Sequence, residues 1–430
     1  MSYLLIKGGH VLSPEDGLDA ELDVLIEDGT IRQIAPNLAA AADETLEARG
    51  QVVAPGLVDI HVHLREPGGE ASETLETGLA AAVAGGFTAV CPMPNTKPII
   101  DRPELVRATV EKAQRLGLAR VFPIAAVSMG SQGESLTDFE ALLGAGAVAF
   151  SDDGRPVKTA GLMRRALEKT RALSVAVSDH CEEPSLSSGG HLNQGPAAER
   201  LGIKGIPNCA EDVCVARDLI LAEAMGGRVH IAHLSTAGSL ELVRAAKRRG
   251  VRVTCEVTPH HFTLTDEAVA WSGTNAKMNP PLRSAADVEA LLAGIADGTV
   301  DAIATDHAPH GPEVKAKSFV EAPFGITGLE TALGLALTQL VHTGKISLWH
   351  LVSLMSSNPA RIINPSADGP LGRLQAGSPA DVTVFDPNLE WTYQVAQSRS
   401  KSRNSPFDGW KLKGAPTATI VAGKIVYRRA

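Results

Sequence analysis

From Leu57 onward, the chain repeats a short apolar strand followed by an alanine-rich helical stretch about eight times. Eight parallel strands joined by crossover helices are typical of a closed α/β barrel, although this periodicity also allows an open doubly wound sheet. The pattern therefore predicts the α/β class and favours a (β/α)8 barrel. The strand candidates are LVDIHVH, TAVCPMP, RVFPIAAVS, AVAFSD, SVAVSDH, RVHIAHLS, RVTCEVT and DAIATDHA.

The two ends of the chain have a different rhythm, in which short apolar runs alternate with turns. The first 55 residues are predicted to form antiparallel strands, and strand-like runs return near the end in ADVTVFD, WTYQV and ATIVAGKIVY. We therefore predict that residues 1–55 and 365–430 build one small β domain beside a TIM-like (β/α)8 barrel of residues 56–364. The polar run SRSKSRNS at 398–405 is predicted to be a solvated loop.

The charge balance restricts the partners of the chain. Its 49 Asp and Glu exceed its 40 Lys and Arg, which gives a formal net charge of -9. A nucleic acid or an anionic membrane surface would require a basic face, so neither is expected, and a small molecule is the expected partner. Residues 77–96 are uncharged and long enough for a membrane span, but Gly85, Gly86, Pro92 and Pro94 interrupt them. We expect a helix end, a turn and a buried strand there.

The cysteines indicate the compartment. There are five, an odd number, and none forms a CxxC pair, so neither a disulfide framework nor a thiolate-bound zinc site is indicated. This usage suits a reducing cytoplasm, and the N-terminal apolar run is too short for a signal peptide. We therefore expect a cytoplasmic protein.

The strongest local motif is DIHVHLREPG at 59–68. Strand alternation places His61 and His63 on one face together with Asp59. A pair of hydrogen-bonded core histidines is the alternative, but the pair closes a strand, where barrel loops build active sites. Arg65 continues the same face and brings a planar guanidinium beside the histidines, unless it forms a surface salt bridge with Glu66.

Polar side chains with metal-binding chemistry close other strands as well. Burial of so many polar groups without compensation is costly, so a metal ion explains them better than packing does. Nitrogen and oxygen ligands without thiolate suit zinc, cobalt or manganese. Four histidines, Asp306 and one of Asp152 and Asp153 make six ligands, which is more than one tetrahedral zinc ion needs and favours two ions. These side chains are His180 in SDHCEE, His233 in IAHLST, Asp306 in ATDHAPH, and Asp152 and Asp153 in AFSDDG.

Several other candidates stay open on the sequence alone. Asn95 lies beside a proline, where a lone asparagine more often forms a turn than binds a ligand. His310 follows the eighth strand and could be an ordinary loop histidine, and His260 and His261 are equally ambiguous. By strand parity His230 points outward, so we expect it to be structural.

Eight motifs carry a resemblance to a known family: PGLVDIHVHLREPG, MPNTKP, FSDDG, SDHCEE, AHLST, CEVTPHH, MNPPLR and TDHAPH. In this order, they resemble the dihydroorotases of the bacterial class I type, in the cyclic amidohydrolase branch of the metal-dependent hydrolases. The resemblance runs essentially from end to end and implies two zinc ions per chain. The implied ligands are His61 and His63 for the first ion, His180 and His233 for the second, Asp153 as the bridge, and Asp306 completing the first site.

The resemblance also implies a reaction, the reversible cyclisation of N-carbamoyl-L-aspartate to (S)-dihydroorotate in pyrimidine biosynthesis. A hydroxide that bridges the metals would attack the ring amide, and Asp306 would act as the general acid and base. The implied substrate contacts are His63, Arg65, Asn95, Asn279, His310, and the backbone around Phe324 and Gly325.

Alternatives to the bridge and to the function remain. Related hydantoinases and allantoinases usually bridge their metals with a carboxylated lysine, for which Lys158 is the nearest candidate here, and Asp152 competes with Asp153. One rival function is a hydantoinase-like hydrolase of uncharged rings, against which Arg65 argues. Another is an inactive scaffold for aspartate carbamoyltransferase, against which the six filled ligand positions argue. We expect a homodimer, and a complex with aspartate carbamoyltransferase is compatible with an active enzyme.

Overall fold

The computed structural model describes residues 2–363 and 369–429, and this part of the chain has a mixed α/β fold. The N-terminal strands are β1 (Tyr3–Ser13), β2 (Leu18–Glu27), β3 (Thr30–Ala35), β4 (Glu44–Glu47) and β5 (Val52–Pro55). The middle strands are β6 (Leu57–Val62), β7 (Phe87–Pro92), β8 (Arg120–Val121), β9 (Ile124–Ala125), β10 (Ala149–Phe150), β11 (Ala176–Asp179), β12 (Leu192–Asn193), β13 (Gly205–Ile206), β14 (Arg228–Ile231), β15 (Val253–Val257) and β16 (Ala302–Ile303). The C-terminal strands are β17 (Val382–Thr392), β18 (Lys411–Val421) and β19 (Lys424–Arg428).

Helices follow most of the middle strands, as the alternating pattern predicts. Their first turns are capped by side chains, since Thr74 and Ser284 each accept a hydrogen bond from the backbone three residues later. None of the helices in the described ranges combines the length and the apolar character needed to cross a membrane. The α-helices are α1 (Leu75–Ala84), α2 (Pro103–Leu116), α3 (Phe139–Gly144), α4 (Ala160–Leu173), α5 (Pro184–Ser187), α6 (Pro196–Leu201), α7 (Cys209–Met225), α8 (Ala237–Arg248), α9 (Pro259–Thr263), α10 (Val269–Ser272), α11 (Ala285–Ala296), α12 (Pro312–Lys315), α13 (Ala332–Ala336), α14 (Leu348–Val352) and α15 (Asn358–Ile363).

Nine of the middle strands form two parallel sheets that curl together, and β12 and β13 form a separate pair. Strands β6, β7 and β8 pair in that order, and β9, β10, β11, β14, β15 and β16 form the other parallel sheet. An isolated parallel bridge between Val62 and His307 joins the first of these strands to the segment after the last. Asp59 strengthens this junction, because its carboxylate accepts hydrogen bonds from the hydroxyl (2.6 Å) and the backbone N–H (3.1 Å) of Thr305. The carboxyl ends of these strands therefore meet at one edge.

The uncharged stretch 77–96 has the structure that its glycines and prolines predict. It contains the end of α1, a turn at Gly85 and Gly86, and β7. Both elements are buried, and Leu79 and Val90 belong to the large apolar core between the parallel strands and the helices. The stretch is thus an internal strand with its supporting helix.

Both ends of the chain contribute to a second sheet, in the order β19-β18-β17-β5-β1-β2-β3, with β4 also paired to β1. The predicted antiparallel pairing holds for β1, β2 and β3 but is wrong for β4 and β5, which run parallel to β1. The loop 36–43 carries the chain back across the sheet, and Asp23 fixes it by accepting hydrogen bonds from Leu38 N (2.8 Å) and Gly8 N (2.7 Å). The predicted strands in ADVTVFD and WTYQV are one strand, β17.

Only one of the two predicted domain boundaries lies within the described residues. Strand β5 ends at Pro55 and β6 begins at Leu57, which agrees with a change of element at residue 55. The boundary predicted at residues 364 and 365 lies outside the described residues. The division into domains therefore stays a prediction.

The segment 398–405 is not the solvated loop that its composition suggests. Ser400, Ser402 and Asn404 are only 1%, 2% and 3% exposed, and they alternate with more exposed basic residues. The hydroxyl of Ser402 donates to the carbonyl of Ser72 at 2.7 Å, and that of Ser400 donates to Glu73. Small polar side chains can be buried in an extended segment when backbone and carboxylate groups lie opposite them, which composition does not reveal.

Thr383 on β17 links the two sheets. Its hydroxyl donates to the carbonyl of Gly86 at 2.6 Å and lies 3.2 Å from the backbone N–H of Leu57, which donates to it. We expect Thr383→Val, which keeps the shape but leaves these buried backbone groups unpaired, to lower the free energy of unfolding by about 1–3 kcal/mol in urea titrations.

The matched control is Thr392→Val at the exposed end of the same strand, which should change the free energy of unfolding by less than about 0.5 kcal/mol. Equal stability of the Thr383→Val variant and the parent would show that this hydroxyl does not stabilise the junction of the sheets.

Candidate metal centre and substrate cavity

A buried carboxylate, that of Asp153, lies among four histidines. Its Oδ1 is 3.5 Å from His61 Nε2, 3.7 Å from His180 Nδ1 and 3.6 Å from His233 Nε2, and its Oδ2 is 3.5 Å from His63 Nε2. The two histidines of the HxH motif come from the end of β6, and the other two follow β11 and β14. The structure thus brings together side chains that the sequence places at separate strand ends.

Asp306 completes the cluster. Its Oδ1 lies 3.0 Å from His63 Nε2 and 3.6 Å from His61 Nε2, and the carboxylate is 2% exposed. Three groups of ligand atoms lie close enough together to hold a metal ion. They are His61, His63 and Asp153; Asp153, His180 and His233; and His61, His233 and Asp306.

Orphaned polar atoms support metal binding at this place. His61 Nε2 and Asp153 Oδ1 lie 3.5 Å apart, are buried and have no hydrogen-bond partner among the described residues. Buried polar atoms are normally paired, so an unpaired imidazole nitrogen that faces an unpaired carboxylate oxygen is a donor set that a divalent cation satisfies. The residues present therefore fit a metal centre.

The charges in the cluster are strongly coupled. Burial disfavours the protonation of His61, but the carboxylates of Asp306, Asp153 and Glu256 outweigh it and raise the pKa of His61 well above its usual value. Burial likewise opposes ionisation of Asp306, but His61 and His63 lower its pKa to about 2. A bound cation would take over this compensation and leave the imidazoles neutral, which is the form that binds metals.

The backbone is strained at three residues of the site. Arg65, His233 and Asp306 have φ values of 60°, 31° and 45°, in the left-handed region that residues with a side chain seldom adopt. Each such conformation costs about 1–3 kcal/mol and persists only where surrounding contacts enforce it. The strain supports a functional role for these positions.

The alternatives for the bridging group are placed differently. Asp152 is held by Ser128, whose N–H and hydroxyl donate to its carboxylate at 3.0 and 2.5 Å. Lys158 is exposed, and its ammonium group donates to the carbonyl of Gln132 at 3.3 Å. Asp153 is therefore the candidate whose carboxylate reaches both pairs of histidines.

Arg65 lies beside the cluster and not on the surface. Its Nε donates to the carbonyl of Pro309 at 3.1 Å, whereas Glu66 pairs with Lys112. Burial lowers the pKa of Arg65 to about 10, so the guanidinium stays charged at neutral pH. Its Nη2 is 3.2 Å from His310 Nε2, which itself lies 2.8 Å from the carbonyl of Phe324.

The remaining predicted contacts line the same cavity, which has a volume of about 320 Å³. Asn95 Oδ1 lies 3.0 Å from His63 Nδ1, and Asn279 Nδ2 lies 3.1 Å from His180 Nε2. Gly325, the residue after Phe324, is buried and does not itself line the cavity. The cavity is lined by His63, Arg65, Asn95, Asp153, Gly154, His180, His233, Met278, Asn279, Asp306, Ala308, His310, Pro323 and Phe324.

Glu256 is a residue of the site that the sequence reasoning missed. Its Oε1 lies 2.7 Å from His61 Nδ1 and accepts from the backbone N–H of His233 at 3.2 Å, and its Oε2 lies 3.1 Å from His230 Nε2. The prediction that His230 points outward is therefore wrong, because β14 ends at Ile231 and His233 has a left-handed backbone (φ 31°), so strand parity cannot be counted from His233 back to His230. The motif CEVTPHH contained the signal, an acidic residue in the interior of a buried strand.

The ambiguous histidines are also buried beside the cluster. His261 Nε2 lies 2.9 Å from the carbonyl of Pro280, and its Nδ1 lies 2.8 Å from the Thr258 hydroxyl. Both ring nitrogens of His261 therefore already have a hydrogen-bond partner. Burial lowers the pKa of His260 to about 3, against the opposing effect of Asp306. Both rings are therefore neutral.

A second group with metal-ligand chemistry is satisfied within the protein. Cys181, Cys214, Asp179 and Asp218 lie together between β11 and α7. Arg217 compensates the carboxylates, since its Nη2 lies 3.1 Å from Asp179 Oδ2 and its Nε 2.7 Å from Asp218 Oδ1. This group joins the strand to the helix through an internal ion pair.

Solved structures show the class of fold to which this arrangement belongs. An L-hydantoinase (dihydropyrimidinase) from Arthrobacter aurescens superimposes with a TM-score of 0.88 at 27% sequence identity, over 100% of this chain and 97% of that one. A D-hydantoinase (dihydropyrimidinase) from a Thermus species has a TM-score of 0.80 at 26% identity, over 99% of this chain and 95% of that one. The chain thus has the fold of the cyclic amide hydrolases.

Sequence comparisons give the family. A family model described as dihydro-orotase-like matches residues 50–239. The dihydroorotase of Citrifermentans bemidjiense is 52% identical over 426 residues, which are 99% of each chain, and that of Pelotomaculum thermopropionicum is 52% identical over 423 residues, which are 98% of each chain. The chain therefore belongs to the dihydroorotase family, and the resemblance inferred from its motifs is confirmed.

We expect Glu256→Gln to weaken Zn²⁺ binding by about 10–100-fold, because the carboxylate that orients His61 is replaced by an amide with one acceptor. A competition titration against a chromogenic chelator measures the affinity of the purified apoprotein. Glu223→Gln, at an exposed residue paired with Arg249, is the matched control and should leave the affinity unchanged. Equal affinities of the Glu256→Gln variant and the parent would contradict an orienting role.

Proposed function

We propose that this chain catalyses the reversible cyclisation of N-carbamoyl-L-aspartate to (S)-dihydroorotate. The observation that carries the proposal is the position of Arg65, a half-buried cation that lines the same cavity as the histidine and aspartate cluster. A planar guanidinium suits a carboxylate, and both partners of this reaction carry one beside the amide that reacts. Full-length similarity to proteins named dihydroorotase supports the same substrate.

We infer that the cluster holds two Zn²⁺ ions per chain. Two of the ligand groups share Asp153, which supports it as the bridge between His61 and His63 on one side and His180 and His233 on the other. Asp306 would complete the first site. When bound, such ions supply Lewis acidity, which lowers the pKa of water and polarises a carbonyl.

The substrate would lie between the metal cluster and the loops after β7, β15 and β16. Arg65 would bind the carboxylate, and Asn95 and Asn279, which contact metal-cluster histidines, would orient the ring. His63 would serve both as a metal ligand and as a substrate contact. Burial lowers the pKa of His310 to about 3, so its neutral ring can hydrogen-bond to the substrate without adding charge, while the backbone at Phe324 and Gly325 closes over the ring.

Asp306 is the proposed proton carrier. In the opening direction, an oxygen of water bonds to the amide carbon, the carbon–nitrogen bond breaks, and the nitrogen gains a proton. The Asp306 carboxylate can accept one proton of water and pass it to the nitrogen, and the second proton is released when the new carboxyl group ionises. Closure reverses the path, consuming a carboxylate and a proton.

We propose that the curled sheet closes into a barrel and that both ends of the chain form one domain. The bridge at Val62 and His307 supports closure of the curled sheet into a (β/α)8 barrel, and the shared sheet of both termini supports one small β domain. A homodimer, a cytoplasmic location and a complex with aspartate carbamoyltransferase stay predictions.

We expect Asp306→Asn to lower turnover in both directions by roughly 10²-fold or more, because one group moves the same proton either way. Dihydroorotate opening and carbamoyl-aspartate closure are followed by absorbance after the metal content has been measured. A variant with the metal content and both rates of the parent would remove Asp306 from the reaction.

We expect Arg65→Ala to lower kcat/KM for dihydroorotate by about 10- to 100-fold, since a charge-assisted bidentate contact is lost. Arg65→Lys should recover only part of the loss. Dihydrouracil, which has no carboxylate, serves as the control substrate and should be a poor substrate of the parent with no further loss in the variant. A parent that prefers dihydrouracil would instead support a hydantoinase-like function.

A further inference from the structure

Asn404, in the buried segment 398–405, contacts two loops that line the substrate cavity. Its Nδ2 donates to the carbonyls of Ala308 and Gly325, both at 2.9 Å, and its Oδ1 accepts from the backbone N–H of His310 at 3.0 Å. Its own carbonyl accepts from Thr327 N at 3.0 Å. One side chain thus bonds to the backbone on both sides of the cavity wall.

The amide group suits this place in a way that other side chains do not. An asparagine amide offers two N–H donors and one carbonyl acceptor, and all three functions are used here. A carboxylate of the same size could still accept from His310 but would face the carbonyl oxygens of Ala308 and Gly325 without a proton to offer. The contacts therefore depend on the amide and not on size alone.

The two loops meet backbone to backbone at this point. Gly325 has a φ of 152°, and a Cβ there would lie 2.4 Å from the carbonyl oxygen of Ala308. Ala308 N donates to the carbonyl of Ile326 at 2.9 Å, and Lys315 Nζ donates to that of Gly325 at 3.1 Å. Asn404 hydrogen-bonds to both loops at this contact and adds to the backbone bond that joins them.

We propose that Asn404 is a positioning residue for substrate binding, which acts by fixing His310 relative to Phe324 and Gly325. The two loops already touch through His310 Nε2, which is 2.8 Å from the Phe324 carbonyl. Without the hydrogen bonds of Asn404, the two loops would be held less firmly. His310 and the backbone of Phe324 and Gly325 would then no longer be fixed in the positions needed to contact the substrate. This inference rests on the proposed function, because it assigns substrate contact to the residues that Asn404 holds.

The test compares Asn404→Asp and Asn404→Ala with the parent as metal-loaded enzymes, with dihydroorotate as the substrate. We expect KM to rise about 10-fold in Asn404→Ala and further in Asn404→Asp, while kcat changes less than about 3-fold. The metal cluster lies outside the contacts of Asn404, so the bound Zn²⁺ should equal that of the parent. A merely structural role would lower the amount of folded, metal-loaded enzyme without changing its KM.

Ser402→Ala is the matched control, because Ser402 is buried in the same segment but bonds to Ser72 and not to the substrate loops. It should keep the KM of the parent. The inference fails if either folded Asn404 variant has the parent KM, or if Ser402→Ala raises KM equally. If Asn404→Asp does not fold, Asn404→Ala decides, and if neither folds the residue is structural and the inference is overturned. A parent that does not convert dihydroorotate would instead refute the proposed function.

Discussion

The site depends on one buried carboxylate, that of Asp153, with four imidazoles within 3.7 Å of it. The Asp153 side chain is 3% exposed, so its carboxylate has lost most of its hydration and is stable only where positive charge or hydrogen-bond donors replace it. The rings of His61, His63, His180 and His233 come from three different strand ends. Strands that are tied by backbone hydrogen bonds can hold such separate side chains within a fraction of an ångström, which loops alone cannot do.

Near this carboxylate, hydrogen bonds hold Asp306 and His233 in energetically unfavourable backbone conformations. Asp306 has a left-handed backbone, and the neighbouring Thr305 is fixed by two hydrogen bonds to Asp59 on the first strand. His233 is also left-handed, and its N–H donates to Glu256, which in turn contacts His61. Through these hydrogen bonds, the buried acids Asp59 and Glu256 hold the strained backbone at Asp306 and His233 against the interior of the parallel strands.

The sequence predicts most of this site because strand alternation and strand ends are local patterns. It placed Asp306 and the four histidines at strand ends without any knowledge of the tertiary contacts. It missed Glu256 because an acidic residue inside a strand acquires its role only from the neighbouring strands. The direction of β4 and β5 was equally hidden, since a short apolar run has the same composition whether it pairs parallel or antiparallel.

The error at 398–405 shows how the terminal sheet serves the site. This segment lies in the connection between β17 and β18, which pair with each other, so both of its ends are held by the sheet. A loop anchored at both ends loses much of its freedom, and its buried side chains can hold other loops in place. The parallel strands position the proposed metal ligands, whereas His310 and Phe324 lie on loops beyond those strands. Hydrogen bonds from Asn404 link these two loops to the segment that the terminal sheet anchors, so the proposed substrate contacts depend on the terminal sheet as well as on the parallel strands.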